Sequence, residues 1–462
     1  MKKASVLGLV LAFVFALTGV LAGPARADVL PLPDNDPFYV APAGYQSQPN
    51  GAVLRDRRIN AEYLLPFLST DVLSQLGSAA EQFAPWFAEL QNLKIDAYQV
   101  LYKSTDGHDQ PTTGVETVLV PQGPWVGNGT RPLIAYQLAE DATTTRCAPS
   151  YTIRNGLLSA GVLGNSTYEI ALSLLGLVEG YAIGYSDYEG PQSQWTAGPQ
   201  SGRGVLDGVR ATLNYSPAGL PAGTPVGLWG YSGGGGATGW AAYLKGSYAP
   251  ELNVVGAAVG ASSNSDMAQL YNKNNGTLTD GILVDAIVGQ MRAYPEAGIN
   301  NYLNPAGKLL MASAQDECLI EGALKHFFAG PLENYTVAPW VPLTQSAPGQ
   351  LVFQASSQID KPAPSVPILN YHDYFDELVP VKADNDLVKH YCAPGSPVEV
   401  MRTSTPTPFV ALVHIAGEVE GDIPALNYLT NRFLGVAPRN DCGAAAQWGS
   451  PTSVVPYGVN TQ

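Results

Sequence analysis

The chain has 462 residues and a formal net charge of −15 at pH 7, yet only 14% of its residues are charged. That acidic balance repels phosphate backbones and anionic lipid surfaces, which excludes nucleic acid as a partner and favours neutral substrates. The length exceeds one ordinary compact core, so a large insertion or a second module is expected.

The chain opens with Met1-Lys2-Lys3, a nearly unbroken apolar run over residues 4–22, and then Gly23-Pro24-Ala25-Arg26-Ala27. A basic start, an apolar stretch and a small-residue Ala25-x-Ala27 site together read as a signal peptide cleaved near Ala27, which predicts export. The rival reading is an uncleaved anchor helix, because the run approaches the length that spans a bilayer. Beyond it lie four cysteines, Cys147, Cys318, Cys392 and Cys442. An even count in an exported chain predicts two disulfides, with three pairings open. No C-x-x-C or H-x-x-x-H spacing occurs, so no metal site is expected.

Two β-branched stretches at 96–102 and 114–120 flank Ser104-Thr105-Asp106-Gly107 and predict an antiparallel hairpin. Short apolar runs follow at 132–136, 181–185, 226–229, 254–259, 367–371 and 398–402, of the kind buried in a parallel sheet. Helical patterns lie between most of them, at 204–214, 235–245 and 383–391, and a further one at 422–434 follows the last run. Strands alternating with helices predict an α/β fold around a mostly parallel sheet.

The gap between the strands at 254 and 367 is too long for an ordinary crossover and predicts a mainly helical insertion at 265–355. It would divide a core of 28–264, with an N-terminal extension, from a second core segment of 356–462. Within the insertion, residues 280–294 carry a stripe of Leu283, Ile287 and Met291 widened by Val284 and Val288. One reading is a buried helix of the insert's own core. The other is a lid helix that rests on an acyl pocket and meets lipid on opening.

Gly230-Tyr231-Ser232-Gly233-Gly234 stands directly after one predicted strand and directly before one predicted helix. A nucleophile elbow needs that context, with small residues two positions either side of a strained serine. The backbone amide of Gly233 would then be free at the helix start to receive an oxyanion. A serine hydroxyl needs a base, normally a histidine held by a carboxylate. The histidines are His108, His326, His372, His390 and His414. In this arrangement the order is serine, acid, histidine, which removes His108. His326 falls in the insertion and His390 within a helical stretch, leaving His414 as the favoured base over His372. The acid should follow the strand at 367–371, where Asp373, Asp376 and Glu377 compete. One of these carboxylates could instead cap the helix that starts near Val381.

These residues together resemble the secretory lipase family, α/β-hydrolases of bacteria and fungi. The resemblance covers most of the chain after the signal segment. It rests on Glu140-Asp141 with Cys147-Ala148-Pro149-Ser150, Asp187-Tyr188-Glu189-Gly190-Pro191, Leu206-Asp207-Gly208-Val209-Arg210-Ala211, the elbow, residues 371–380 and His414. It implies an α/β-hydrolase fold with a lid insertion, a catalytic triad of Ser232, Asp376 and His414, and an oxyanion hole of Gly233 and Asp141. It also implies the disulfides Cys147–Cys318 and Cys392–Cys442. Asp373 departs from the glycine usual at that position and places an extra carboxylate beside the acid loop. The expected activity is hydrolysis of carboxylic esters, most of all acylglycerols, through an acyl-enzyme and without cofactor or metal. The expected partners are a neutral lipid or ester and, through the lid, a lipid–water interface. A short-chain esterase or serine peptidase on the same scaffold, and a non-catalytic lipid-binding relative, are the alternatives.

Overall fold

The computed structural model describes residues 30–60, 89–90, 92–155, 167–337, 343–394, 396–404 and 413–447; the predicted signal segment at 1–27 lies outside them. Nine strands form one sheet: β1 (Val53–Ile59), β2 (Ile95–Thr105), β3 (Pro111–Pro121), β4 (Leu133–Gln137), β5 (Ala182–Ser186), β6 (Val226–Tyr231), β7 (Val254–Gly260), β8 (Ile368–Asp373) and β9 (Val398–Thr403). Their spatial order is β1-β2-β3-β5-β4-β6-β7-β8-β9. Neighbours from β5 to β9 run parallel, while β1, β2 and β3 join antiparallel at one edge, with Ser104 opposite Thr112 in the β2–β3 hairpin.

Alternation along each strand explains the layering. In β6, Val226 and Leu228 enter one apolar core while Trp229 and Tyr231 enter the other; in β8, Ile368 and Leu369 divide in the same way. Both faces of the sheet are therefore covered by helices, as parallel sheets require. On the first face lie α1 (Gly198–Asn214) and α2 (Ser232–Tyr248), contributing Val205, Val209, Ala237 and Ala241. This is the α/β-hydrolase arrangement that the sequence predicts.

Between β7 and β8 the chain leaves the sheet for a set of helices. They include Met267–Asn274, α3 (Asp280–Ala293), Pro305–Ser313, α4 (Leu319–Lys325) and Ala347–Ser356. Tyr271, Val284, Val288, Met311 and Val352 form a core of their own there. The α3 stripe belongs to that core through Leu283 and Ile287. Cys147 is bonded to Cys318, which ties these helices to the sheet domain. Cys392, at the end of α5 (Val381–Cys392), is bonded to Cys442.

Helix α1 begins six residues before the predicted 204, and two further elements differ more from the sequence expectation. Strand β1 was not expected, because Arg55-Asp56-Arg57-Arg58 carries no apolar alternation; as an edge strand it needs only backbone pairing with β2. The last helix, α6, spans Val413–Phe433 and so begins more than two turns before the predicted 422. Gly417, Gly421 and Pro424 conceal it, since all three are poor helix formers. Tertiary packing reverses the argument: a Cβ on Gly421 would meet Tyr371 Cδ2 at 2.2 Å, so glycine is what lets α6 press on the sheet.

Candidate active site

Ser232 occupies the turn between β6 and α2 with φ +55°, a left-handed conformation that a side-chain-bearing residue adopts only under constraint. The constraint is visible in its neighbours. A Cβ on Gly234 would lie 1.9 Å from the Gln137 carbonyl oxygen, and one on Gly230 would lie 2.5 Å from the Gly234 carbonyl oxygen. The turn therefore closes only with glycine at both positions. Because α2 begins at Ser232, the Gly233 amide is among the first four of the helix and has no partner within it.

The carboxylates that competed as acid separate cleanly. Asp376 Oδ2 accepts a hydrogen bond from His414 Nδ1 at 2.6 Å, and Oδ1 accepts from the amides of Leu378 and Val379, each at 2.8 Å. Glu377 accepts instead from the His414 backbone amide at 3.2 Å. Asp373 accepts from Thr403 Oγ1 at 2.9 Å and from the Phe375 amide at 2.8 Å, which holds the turn after β8. None of them caps α5, whose N-cap is Pro380 with no side-chain bond. His414 sits in the first turn of α6 rather than on a loop, and Tyr231 Oη donates to its carbonyl at 2.8 Å.

Burial alone would raise the Asp376 carboxyl, but the charge of His414 and hydrogen bonds from both His372 and His414 hold it well below the usual range. Burial disfavours charging His414, and the Asp376 charge and hydrogen bond outweigh it, raising the imidazole above its ordinary value. With Nδ1 committed to Asp376, Nε2 is the nitrogen left for the serine proton. Ser232 and His414 line one cavity without a direct hydrogen bond among the described residues. Such contacts are commonly long in unliganded sites and tighten with substrate.

That cavity measures about 230 Å³. Besides Ser232 and His414 it is walled by Ile282, Leu283 and Ala286 of α3 and by Leu319, Ala323 and Leu324 of α4. Apolar side chains of the inserted helices thus roof the hydroxyl. Asp141 also lines it, with φ +41°. Its Oδ1 has no hydrogen-bond partner among the described residues and lies 1.7 Å from where a Cβ on Gly233 would stand. Burial pushes the Asp141 carboxyl up to about 7, so near neutrality it can hold a proton to donate.

The remaining histidines lie elsewhere. His108 Nε2 bonds the Ala293 carbonyl, His390 Nε2 bonds the Lys361 carbonyl, and His326 pairs with Glu317 inside the insertion. His372 is the residue whose part sequence reasoning missed. Its Nε2 donates to Asp376 Oδ2 at 3.1 Å, and its Nδ1 bonds Asp384 at 2.9 Å. His372 therefore bonds the same carboxylate oxygen that His414 does. Burial opposes its charge, yet Asp384 and Asp376 overcome that and raise it to about 9.

Two consequences are measurable on a His372→Gln protein. Removing a positive charge that lowers the His414 pKa should move the acid limb of the kcat/KM profile to higher pH; an unchanged limb would show that His372 only fills space. The folded pKa lies above the ordinary 6.5, so the stabilisation from His372 is complete below 6.5 and lost as pH rises through about 9. The wild-type Tm should accordingly fall across that window more steeply than the variant's.

Comparison with known proteins places the chain among lipases. The secretory lipase family model matches residues 164–441. A Mycobacterium tuberculosis protein named probable inactive lipase MT1628 is 32% identical over 426 residues, covering 90% of this chain and 86% of that one. Secreted triacylglycerol lipase LIP3 of Malassezia globosa is 31% identical over 423 residues, covering 89% and 84%. Among solved structures, Candida antarctica lipase A in its closed state superposes with a TM-score of 0.74 at 27% identity, covering 94% of this chain and 92% of that one.

Proposed function

This chain belongs to the secretory lipase family, and from that premise we propose that it is a secreted triacylglycerol lipase working through an acyl-enzyme on Ser232. The observation that carries the reading is a strained serine sharing an apolar, helix-roofed cavity with a histidine whose Nδ1 is held by a buried carboxylate. Ser232 Oγ attacks the ester carbonyl carbon while His414 Nε2 takes its proton, and the carbonyl π pair moves onto oxygen. The Gly233 amide and the protonated Asp141 carboxyl receive that oxyanion. Collapse of the intermediate expels the alcohol, which leaves with the proton from His414. Water then attacks the acyl-enzyme by the same relay and releases the fatty acid. Export follows from cleavage near Ala27.

The inserted helices act as a lid in this reading. Phe328 is 90% exposed, and Leu309, Ile320 and Leu324 are exposed on the same set of helices. Exposed apolar side chains next to a roofed cavity suit a lipid–water interface better than bulk water. The relative named as inactive keeps a non-catalytic reading in play, and the His414–Asp376 pair beside Ser232 argues against it for this chain.

A panel of p-nitrophenyl esters of rising acyl length, with triacylglycerol emulsions and peptides alongside, tests the function. Preference for long acyl chains and a rise in rate once substrate exceeds its solubility are expected. Turnover confined to short soluble esters, or to peptides, would overturn the lipase assignment.

A further inference from the structure

Where α3 packs against α4, three ionisable residues converge from separate parts of the insertion. Asp285 lies within α3, Glu317 precedes α4, and His326 closes it. All three are buried, and their donor atoms lie within 4.8 Å of one another. His326 Nε2 stands 2.9 Å from Glu317 Oε2. Asp285 is 0% exposed and neither carboxylate oxygen has an N–H or O–H donor among the described residues; burial and the facing Glu317 carboxylate push it up to about 9. Two buried carboxyls that face each other are costly unless a proton or a cation lies between them.

The local framework keeps this space open and its walls in place. A Cβ on Gly322 would meet Asp285 Oδ2 at 1.8 Å and Glu317 Oε2 at 3.0 Å, so glycine leaves the carboxylates room to face each other. The Glu317 backbone is paired in both directions with Thr143, at 2.9 Å each way, and its neighbour Cys318 is disulfide-bonded to Cys147. Lys325 Nζ takes Glu317 Oε1, which leaves Oε2 facing His326 and Asp285.

We propose that Asp285, Glu317 and His326 form a structural site for a divalent transition-metal ion of the zinc class. One imidazole nitrogen with two carboxylate oxygens is a mixed donor set that suits zinc over calcium or magnesium, which prefer all-oxygen shells. The ion satisfies the orphaned Asp285 oxygens and joins α3 to α4. Those two helices wall the serine cavity through Ile282, Leu283, Leu319 and Leu324, so the ion holds its roof together.

The full chain, stripped with EDTA and dialysed, should take up one zinc ion per molecule by calorimetry and native mass spectrometry. Its Tm should rise by a few degrees at about a hundredfold excess over Kd. Manganese should bind more weakly and calcium not measurably. Asp285→Asn and His326→Gln should each weaken zinc binding by at least about tenfold. A cooperative thermal transition and unchanged far-UV circular dichroism in His326→Gln show that the variant folds. No saturable zinc uptake by the wild type, or uptake unaffected by both substitutions, would overturn the site. A rise in Tm of EDTA-treated Asp285→Asn without zinc uptake by the wild type would overturn it too, and would assign the cluster to a carboxyl pair that shares a proton.

Discussion

Ser232→Ala is expected to lose roughly a millionfold in kcat on a p-nitrophenyl ester, leaving only what the oxyanion site and substrate binding provide. The size follows from the step that disappears: without Oγ there is no acyl-enzyme, and His414 has no proton to take. The backbone at 232 already carries φ +55° with a Cβ present, so alanine adds no new strain and the Tm should stay near the wild-type value. A fluorophosphonate probe should label the wild type and not the variant. Ester hydrolysis at the wild-type rate by folded Ser232→Ala would remove the proposed mechanism altogether.

Asp376→Asn should cost about ten-thousandfold in kcat, because an amide in place of the carboxylate can stabilise the wrong imidazole tautomer and cannot balance the imidazolium that forms. Asparagine keeps a carbonyl oxygen for the Leu378 and Val379 amides, so the turn can survive. A second effect comes from His372, which loses one of the two carboxylates facing its charged ring, so the variant's Tm should also fall. Asp373→Asn is the control. Its carboxylate serves Thr403 and Phe375, and kcat should change by no more than a few-fold. Greater damage from Asp373→Asn than from Asp376→Asn would move the acid to residue 373.

The elements easiest to read in the chain were those whose burial pattern is periodic. Leu228 and Trp229, or Ile368 and Leu369, are apolar because both faces of a central parallel strand are covered, and an apolar run reports that directly. The stripe on α3 was equally plain. Leu283 packs in the insert's core and also lines the serine cavity. Strand β1 and the first turns of α6 were illegible for opposite reasons. The former needs only edge pairing, while the latter is built from glycines chosen for closeness to Tyr371 and Tyr231 at the expense of helix propensity.

By itself, then, the order of residues determined the alternation of strands and helices, the elbow around Ser232, and a short roster of histidines and carboxylates able to serve it. Local chemistry is enough for these, because turn geometry and periodic burial act over a few residues. Which carboxylate meets which imidazole was decided only by the tertiary structure. Asp376, Glu377 and Asp373 are near neighbours of equal chemistry, and the register of β8 against β9 and the seat of α6 sent them to the His414 ring, the His414 amide and Thr403 respectively. The gathering of Asp285, Glu317 and His326 was hidden for the same reason: no spacing along the chain marks three groups that meet only when two helices pack side by side.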